Sequence, residues 1–254
     1  MTKYPIILVH GIAIRDSKIL RAFGKIEKRL SDAGFSVYTA STDAFGTIEN
    51  NAEQLKGIIL GILDGTGCEK INIIAHSKGG LDSKYMIARL GMSDKVASLT
   101  TLSTPHKGSP VATKIWALPR WIKRCLAFFI NTFYKIIGDK NPDSLKVCEQ
   151  LKSTDEVADA ECLDTVFCQS YSTVLKKGKD CLLMAVPMKM CMGEGENDGV
   201  VSTESSKFGV YRGDCTDESI SHIQIIDFLA RRRYRQKIYQ FYIDLCSELG
   251  ERGY

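Results

Sequence analysis

Short apolar runs alternate with stretches of helical periodicity along the first hundred residues. Pro5-Ile6-Ile7-Leu8-Val9 is a continuous apolar run, the mark of a strand buried on both faces. A helix can start at Asp16 and Ser17. Apolar residues then fall at 19, 23, 26, 30 and 33, and Gly34 follows as a stop. Phe35-Ser36-Val37-Tyr38 predicts the next strand. A second helix is predicted from about Thr47 to Leu63, with apolar residues at 48, 52, 55, 59 and 62. Residues 71–75 predict another buried strand, Gly79-Gly80 lead into a helix through Leu90, and 96–102 read as the strand after it. This alternation predicts an α/β fold, a mostly parallel sheet flanked by helices. Ligands of such sheets sit at the carboxyl ends of the strands.

Residues 109–165 break the pattern. They hold both tryptophans, the Phe128-Phe129 pair and the cations Lys114, Arg120, Lys123, Arg124 and Lys135. They read as a helical insertion over the sheet. A last helix is predicted over about 223–249, with apolar residues at 226, 230, 234, 238, 241, 245 and 249. It should cover the sheet and keep Arg231, Arg232, Arg233 and Arg235 mostly on its wet side. No internal repeat or low-complexity linker divides the chain. The expectation is one domain, 1–254, with 109–165 as a lid or cap insertion.

Composition narrows the classes. The net charge of +4, from 34 Lys and Arg against 30 Asp and Glu, is too mild for a nucleic-acid partner. No apolar run reaches the roughly 18 residues that span a bilayer, so no transmembrane segment is predicted. Nine irregularly spaced cysteines without a CxxC pair argue against a zinc ribbon and read as buried thiols in a reducing setting. Met1-Thr2-Lys3 enters a strand without a leader's n-region or h-region. As written, the chain predicts a cytoplasmic protein; a removed leader would make it a secreted one.

The chemistry gathers at strand ends. Ala75-His76-Ser77-Lys78-Gly79-Gly80 follows a buried strand and precedes a helix, matching G-x-S-x-G with Ala in first place. Such a turn is sharp, so small residues must flank the serine two positions away on each side. Its result is a Ser77 Oγ that stands clear of the sheet at a helix N-terminus, with the Lys78 amide aimed at a developing oxyanion. His10-Gly11 ends the first strand, where glycine lets the backbone approach the elbow and the Ile12 amide can supply a second oxyanion donor. His10 and His76 read as packed, structural histidines, with His76 pointing away from the pocket. Of the four histidines only His222 lies late in the chain, so the order Ser, acid, His makes it the base. The acid is predicted to be Asp198, in the turn Asn197-Asp198-Gly199-Val200-Val201, against the competitors Glu194, Glu196, Asp214 and Asp217.

With these pieces the chain resembles the bacterial true lipases, the Pseudomonas-type triacylglycerol lipases of the α/β-hydrolase superfamily. The matching segments are Tyr4 to Gly11, Ile73 to Gly80, Thr101-Leu102-Ser103-Thr104-Pro105-His106-Lys107-Gly108-Ser109, Asn197 to Val201, the Ser221-His222 step, and Pro142-Asp143-Ser144-Leu145 through Leu151. The resemblance implies an α/β-hydrolase fold, a Ser77–Asp198–His222 triad, Ile12 and Lys78 amides as the oxyanion hole, and a mobile lid between about 110 and 165. It also raises a structural calcium. Relatives that bind calcium carry an Asp two residues after the catalytic histidine, whereas this chain has Gln224, a poorer ligand for a hard cation. No metal and no cofactor are therefore expected. His106 is expected to pack near the floor of the site.

The resulting expectation is a serine hydrolase that cleaves carboxylic esters through an acyl-enzyme. Acylglycerol-type lipid esters fit best, because the dense apolar set of 109–165 beside its cations suits a lipid–water interface or an acyl groove. A soluble carboxylesterase or thioesterase for short acyl substrates is the alternative. An acyltransferase on the same triad and a non-catalytic binding module stand behind it.

Overall fold

Successive side chains of a strand alternate between its faces, so β1 (Ile6–Val9) sends Ile6 and Leu8 to one side and Ile7 and Val9 to the other. The computed structural model describes residues 1–14, 21–153 and 165–254, and sets β1 within a six-stranded sheet. The other strands are β2 (Val37–Ala40), β3 (Ile71–His76), β4 (Val96–Leu102), β5 (Phe167–Ser172) and β6 (Val210–Asp214). Their order is β2-β1-β3-β4-β5-β6, and every neighbouring pair runs parallel. The helices are α1 (Ile26–Asp32), α2 (Ile48–Thr66), α3 (Lys78–Arg89), α4 (Pro110–Trp116), α5 (Arg120–Ile136), α6 (Ser144–Lys152), α7 (Ala185–Cys191), the single turn α8 (Thr203–Ser206) and α9 (Arg232–Glu251).

Two cores follow from that alternation. α1 and α9 pack on the face of Ile6, Leu8, Ile74 and Leu102. α2 and α3 pack on the face of Ile7, Val9, Ile73 and Ala75. Each fully buried Ile or Leu contributes about 2 kcal/mol, so these faces supply most of the cohesion. A smaller cluster of Ile48, Leu81, Ala112, Val147 and Leu151 seats α4 and α6 above the carboxyl edge of the sheet. The predicted 47–63 helix is α2: Thr47 caps it, accepting the Asn50 N–H at 3.3 Å, and Gly67 ends it at φ 68°.

Three expectations shift. The first helix begins at Ile26, after a turn over residues 22–25, and its predicted start at Asp16 and Ser17 lies outside the described residues. The last helix begins at Arg232, not near 223. Asp227 and Leu229 take positive φ, 62° and 53°, which breaks the helix. The Asp227 carboxylate there accepts from the Lys25 amide (3.1 Å), Arg235 Nε (2.9 Å) and the Tyr239 hydroxyl (2.7 Å). Ile226 and Ala230 are buried in this turn, which is why helical periodicity ran through it. β5 and β6 gave no apolar signal. β5 is buried although half polar, because Gln169 donates to Thr100 Oγ1 and Ser170 Oγ accepts the Phe208 amide.

Candidate active site

The site is built where β1, β3 and β4 end. Ser77 is the single residue between β3 and α3, with φ 56° and ψ −132°, a conformation a non-glycine residue holds only under constraint. The constraints are visible. The Ser77 N–H donates to the Leu102 carbonyl at 3.0 Å, and Thr104 Oγ1 donates to the Ser77 carbonyl at 2.8 Å. A Cβ on Gly79 would lie 2.5 Å from the His10 carbonyl oxygen, and one on Gly80 2.2 Å from Thr104 Oγ1. A Cβ on Gly11 would lie 2.6 Å from Ser77 Cβ. The glycines of the elbow and of the β1 end are thus required by contact, as their spacing suggested.

Three predicted side chains meet. His222 Nε2 lies 2.8 Å from Ser77 Oγ, and His222 Nδ1 lies 2.7 Å from Asp198 Oδ2. All three residues are buried. Asp198 Oδ1 accepts the amides of Val200 (2.9 Å) and Val201 (2.8 Å), and Oδ2 also accepts Thr173 Oγ1 at 3.2 Å. Burial by itself would raise this carboxyl's pKa. The imidazole and the two amides outweigh burial and hold it below the usual carboxylate range. The backbone joins the same pair, since the His222 amide donates to the Asp198 carbonyl at 2.9 Å. The competing acids lie elsewhere: Glu194 accepts from Ser202, Asp214 from Ser172, and Asp217 from Lys237.

The two amides read as oxyanion donors flank the serine. Lys78 is the first residue of α3, and Ile12 lines a cavity together with Gly11 and Ser77. Among the described residues neither N–H is taken by an acceptor. The Lys78 side chain has a separate task. Its Nζ sits 2.6 Å from Asp82 Oδ1, both side chains are 1% exposed, and Asn51 donates to Asp82 Oδ2 at 3.1 Å. Burial nonetheless lifts the Asp82 carboxyl to about 6.

The remaining histidines are structural, with one correction. His10 Nδ1 contacts the Gly11 carbonyl oxygen at 2.8 Å and is buried. His106 stacks on Phe208 at 4.5 Å and bonds Thr101 Oγ1 at 3.0 Å, and burial drives its imidazole down to about 3. His76, however, does not point away. Its ring lies 4.6 Å from that of His222, its Nε2 bonds the His222 carbonyl at 2.8 Å, and it lines the cavity. Burial and then the His222 charge push its pKa far down, which keeps it a neutral donor to that carbonyl. Thr104, Thr173 and His76 thus hold Ser77, Asp198 and His222 in place. Thr104 and His76 lie within the motif segments, whereas Thr173, just after β5, carried no sequence signal.

The cavity above Ser77 has a volume of about 400 Å³, within the ordinary range for small-molecule sites. Ile115, Leu118, Leu126 and Ile130 roof it, with Val147 and Leu151 on α6 at its side. Gln224, at the position where calcium would call for an Asp, is already engaged. Its Oε1 accepts the Ser221 amide and its Nε2 donates to the Asp180 carbonyl. This donor set does not fit a hard cation, and no group of three or more metal-ligating side chains lies among the described residues.

Residues 4–158 match the model of the family described as "Putative serine esterase (DUF676)". The chain belongs to this serine esterase family. Among curated relatives, triacylglycerol lipase 2 of Saccharomyces cerevisiae is 27% identical over 257 residues, covering 90% of this chain and 73% of that protein. A triacylglycerol lipase of Pseudarthrobacter phenanthrenivorans is 39% identical over 150 residues, 55% of this chain and only 46% of that protein. Among solved structures, the mature Bacillus licheniformis lipase BlEst2 superimposes with a TM-score of 0.68 at 20% identity, covering 93% of this chain and 92% of that one. The fold is that of the α/β-hydrolase lipases and esterases. The reading of the sequence as a carboxylic-ester hydrolase stands with this family, and the resemblance to triacylglycerol lipases stands with these relatives. No helix of the described residues is long and apolar enough to cross a membrane.

Proposed function

We propose that the protein hydrolyses lipid carboxylic esters, with Ser77 as nucleophile, His222 as general base and acid, and Asp198 as the orienting carboxylate. The observation that carries this reading is the continuous Ser77–His222–Asp198 hydrogen-bond line at the floor of an apolar cavity. His222 Nε2 takes the Ser77 proton as Oγ attacks the ester carbonyl, forming a C–O bond to the acyl carbon. Asp198 accepts from Nδ1, fixes the tautomer and stabilises the imidazolium. The Ile12 and Lys78 amides hold the tetrahedral oxyanion, each contributing about 3–4 kcal/mol of barrier lowering. His222 then protonates the leaving alcohol. A water, deprotonated by the same imidazole, releases the acid and restores Ser77.

The acyl chain would lie under α4 and α5, among Ile115, Leu126 and Ile130. The segment 109–165 acts in this reading as the lid of a single domain and as the part that meets a lipid–water interface; residues 154–164 lie outside the described ones. The triacylglycerol lipase names of the relatives support an acylglycerol-type substrate.

A series of p-nitrophenyl esters from acetate to palmitate tests this. Activity should peak at long chains. A peak at acetate or butyrate, lost in Ser77→Ala, would keep the triad and replace the lipid reading by a small-ester hydrolase. No turnover at any length would overturn both.

A further inference from the structure

α5 is apolar on two opposite sides. Leu126, Ala127 and Ile130 face the cavity. On the other side Trp121, Phe128, Phe129 and Ile136 are 73%, 66%, 65% and 78% exposed. A surface helix of a globular protein keeps that side polar. A second exposed apolar stretch rims the same cavity. Leu182, Leu183, Val186 and Met192 are exposed around Met184, which lines it, and Lys114 Nζ donates to the Met190 carbonyl, tying this stretch to α4.

Charge selects the occupant. Residues 109–138 hold Lys114, Arg120, Lys123, Arg124 and Lys135 and no Asp or Glu; residues 181–193 hold Lys189 and no Asp or Glu. Of the 34 Lys and Arg, 28 therefore remain elsewhere, against all 30 Asp and Glu. The whole positive excess of the chain sits on these two apolar stretches. Arg120, Arg124 and Lys135, four and eleven residues apart, fall along one flank of the exposed face of α5. A second copy of the chain is a poor cover, because a two-fold contact would set this cationic face against itself.

We infer that this surface docks on an anionic lipid bilayer. α5 lies in the headgroup plane, Trp121, Phe128 and Phe129 enter the acyl boundary, and Arg120, Arg124 and Lys135 meet lipid phosphates. The site's mouth then opens on the membrane. The inference builds on the interface reading above but requires no turnover by Ser77.

Vesicle flotation of the full-length Ser77→Ala protein tests it. Vesicles are phosphatidylcholine alone, or phosphatidylcholine with about one third phosphatidylglycerol. Binding should be at least about tenfold greater to the mixed vesicles and should fall away at about 0.5 M salt. Arg120→Glu with Arg124→Glu, and separately Phe128→Ser with Phe129→Ser, should each abolish it. In the Ser77 protein the same pairs should leave turnover of a soluble short-chain ester unchanged, which shows that they fold. Equal binding to both vesicles, binding untouched by either pair, or a dimer in solution that either pair dissolves would overturn the inference. Docking without any ester turnover would sink the proposed hydrolysis and leave the docking standing; turnover without docking would do the reverse.

Discussion

At the carboxyl edge of the sheet the polar side chains around Ser77 bond to one another; above it, α5 is tied to scattered backbone groups, Lys123 to the Trp116 carbonyl, Asn131 to the Ser144 amide, Tyr134 to the Ala13 carbonyl and Lys135 to the Lys140 carbonyl. Ser77, Asp198, His222, Thr104, Thr173 and His76 form one bonded unit in which a single atom misplaced would be felt. α5 is held chiefly near its carboxyl end. Asp139 accepts the amides of Ala44 and Phe45, Asp43 accepts those of Lys140 and Asn141, and the Tyr134 hydroxyl donates to the Ala13 carbonyl. Its first residue follows Pro119, which provides no side-chain cap. The edge is specified by hydrogen bonds and contacts that tolerate one residue type. The layer is specified by apolar area, which many residues could supply. The contrast is between a tightly bonded candidate site and a loosely specified cover, and substitutions on each side should tell the two apart.

The largest effect should come at the edge. Ser77→Ala should lower kcat/KM by about 10⁴-fold or more, and Asp198→Asn by about 10³–10⁴-fold, with circular dichroism unchanged. Activity that survives either change would move the chemistry elsewhere. Next, Asp82→Ala leaves the Lys78 ammonium buried without its carboxylate and should cost about 3–5 kcal/mol of stability, read from urea unfolding. A loss below about 1 kcal/mol would mean that water reaches this pair.

Acid should also act at the edge. The folded state holds His106 neutral down to about 3, whereas the unfolded chain protonates it near its ordinary 6.5. Below 6.5 the unfolded state therefore binds the extra proton, and stability falls as pH drops, by about 1.4 kcal/mol per unit, or about 2 kcal/mol by pH 5. His76 shifts in the same direction. Asp82 works the other way: its folded pKa of about 6 lies above the ordinary 3.8, so it favours folding as pH falls through that window. The readout is therefore the difference between the parent and His106→Gln, whose unfolding midpoint should depend less steeply on pH between 7 and 5. Equal slopes would contradict a neutral buried His106.

The smallest change belongs to the cover. Asp139→Ala frees two amides and should cost about 1–2 kcal/mol. Its more telling sign is local: trypsin should nick at Arg120, Lys123 or Arg124 faster while the edge retains its short-ester activity. Loss of that activity with the nicking unchanged would mean that cover and edge are one unit.

The same contrast explains what could be read from the sequence. That Ser77, Asp198 and His222 would meet was legible because the elbow needs Gly79 and Gly80, Asp198 sits in a turn with Gly199, and only one histidine lies late in the chain. β1 and β3 were legible as buried apolar runs, and β4 was read over 96–102 as the next strand in the alternation. β5 was not, because it is half polar, and Gln169 Nε2, Ser170 Oγ and Ser172 Oγ bond to neighbours that only the fold supplies. The start of α9 was misread because buried Ile226 and Ala230 continue a helical period through a turn held by Asp227. His76 turns toward the cavity rather than away because the direction of the side chain before Ser77 depends on where the His222 backbone passes. In 109–165, composition gave helices and apolar character but could not divide inward from outward faces, since α5 is apolar on both.

Labelling with a fluorophosphonate followed by peptide mass mapping decides whether Ser77 is the nucleophile. One adduct per chain is expected, on the peptide that contains Ser77, with loss of ester turnover in step with labelling and no adduct in Ser77→Ala. An unlabelled Ser77 in a protein that still turns over esters, or an adduct that persists in Ser77→Ala, would contradict it.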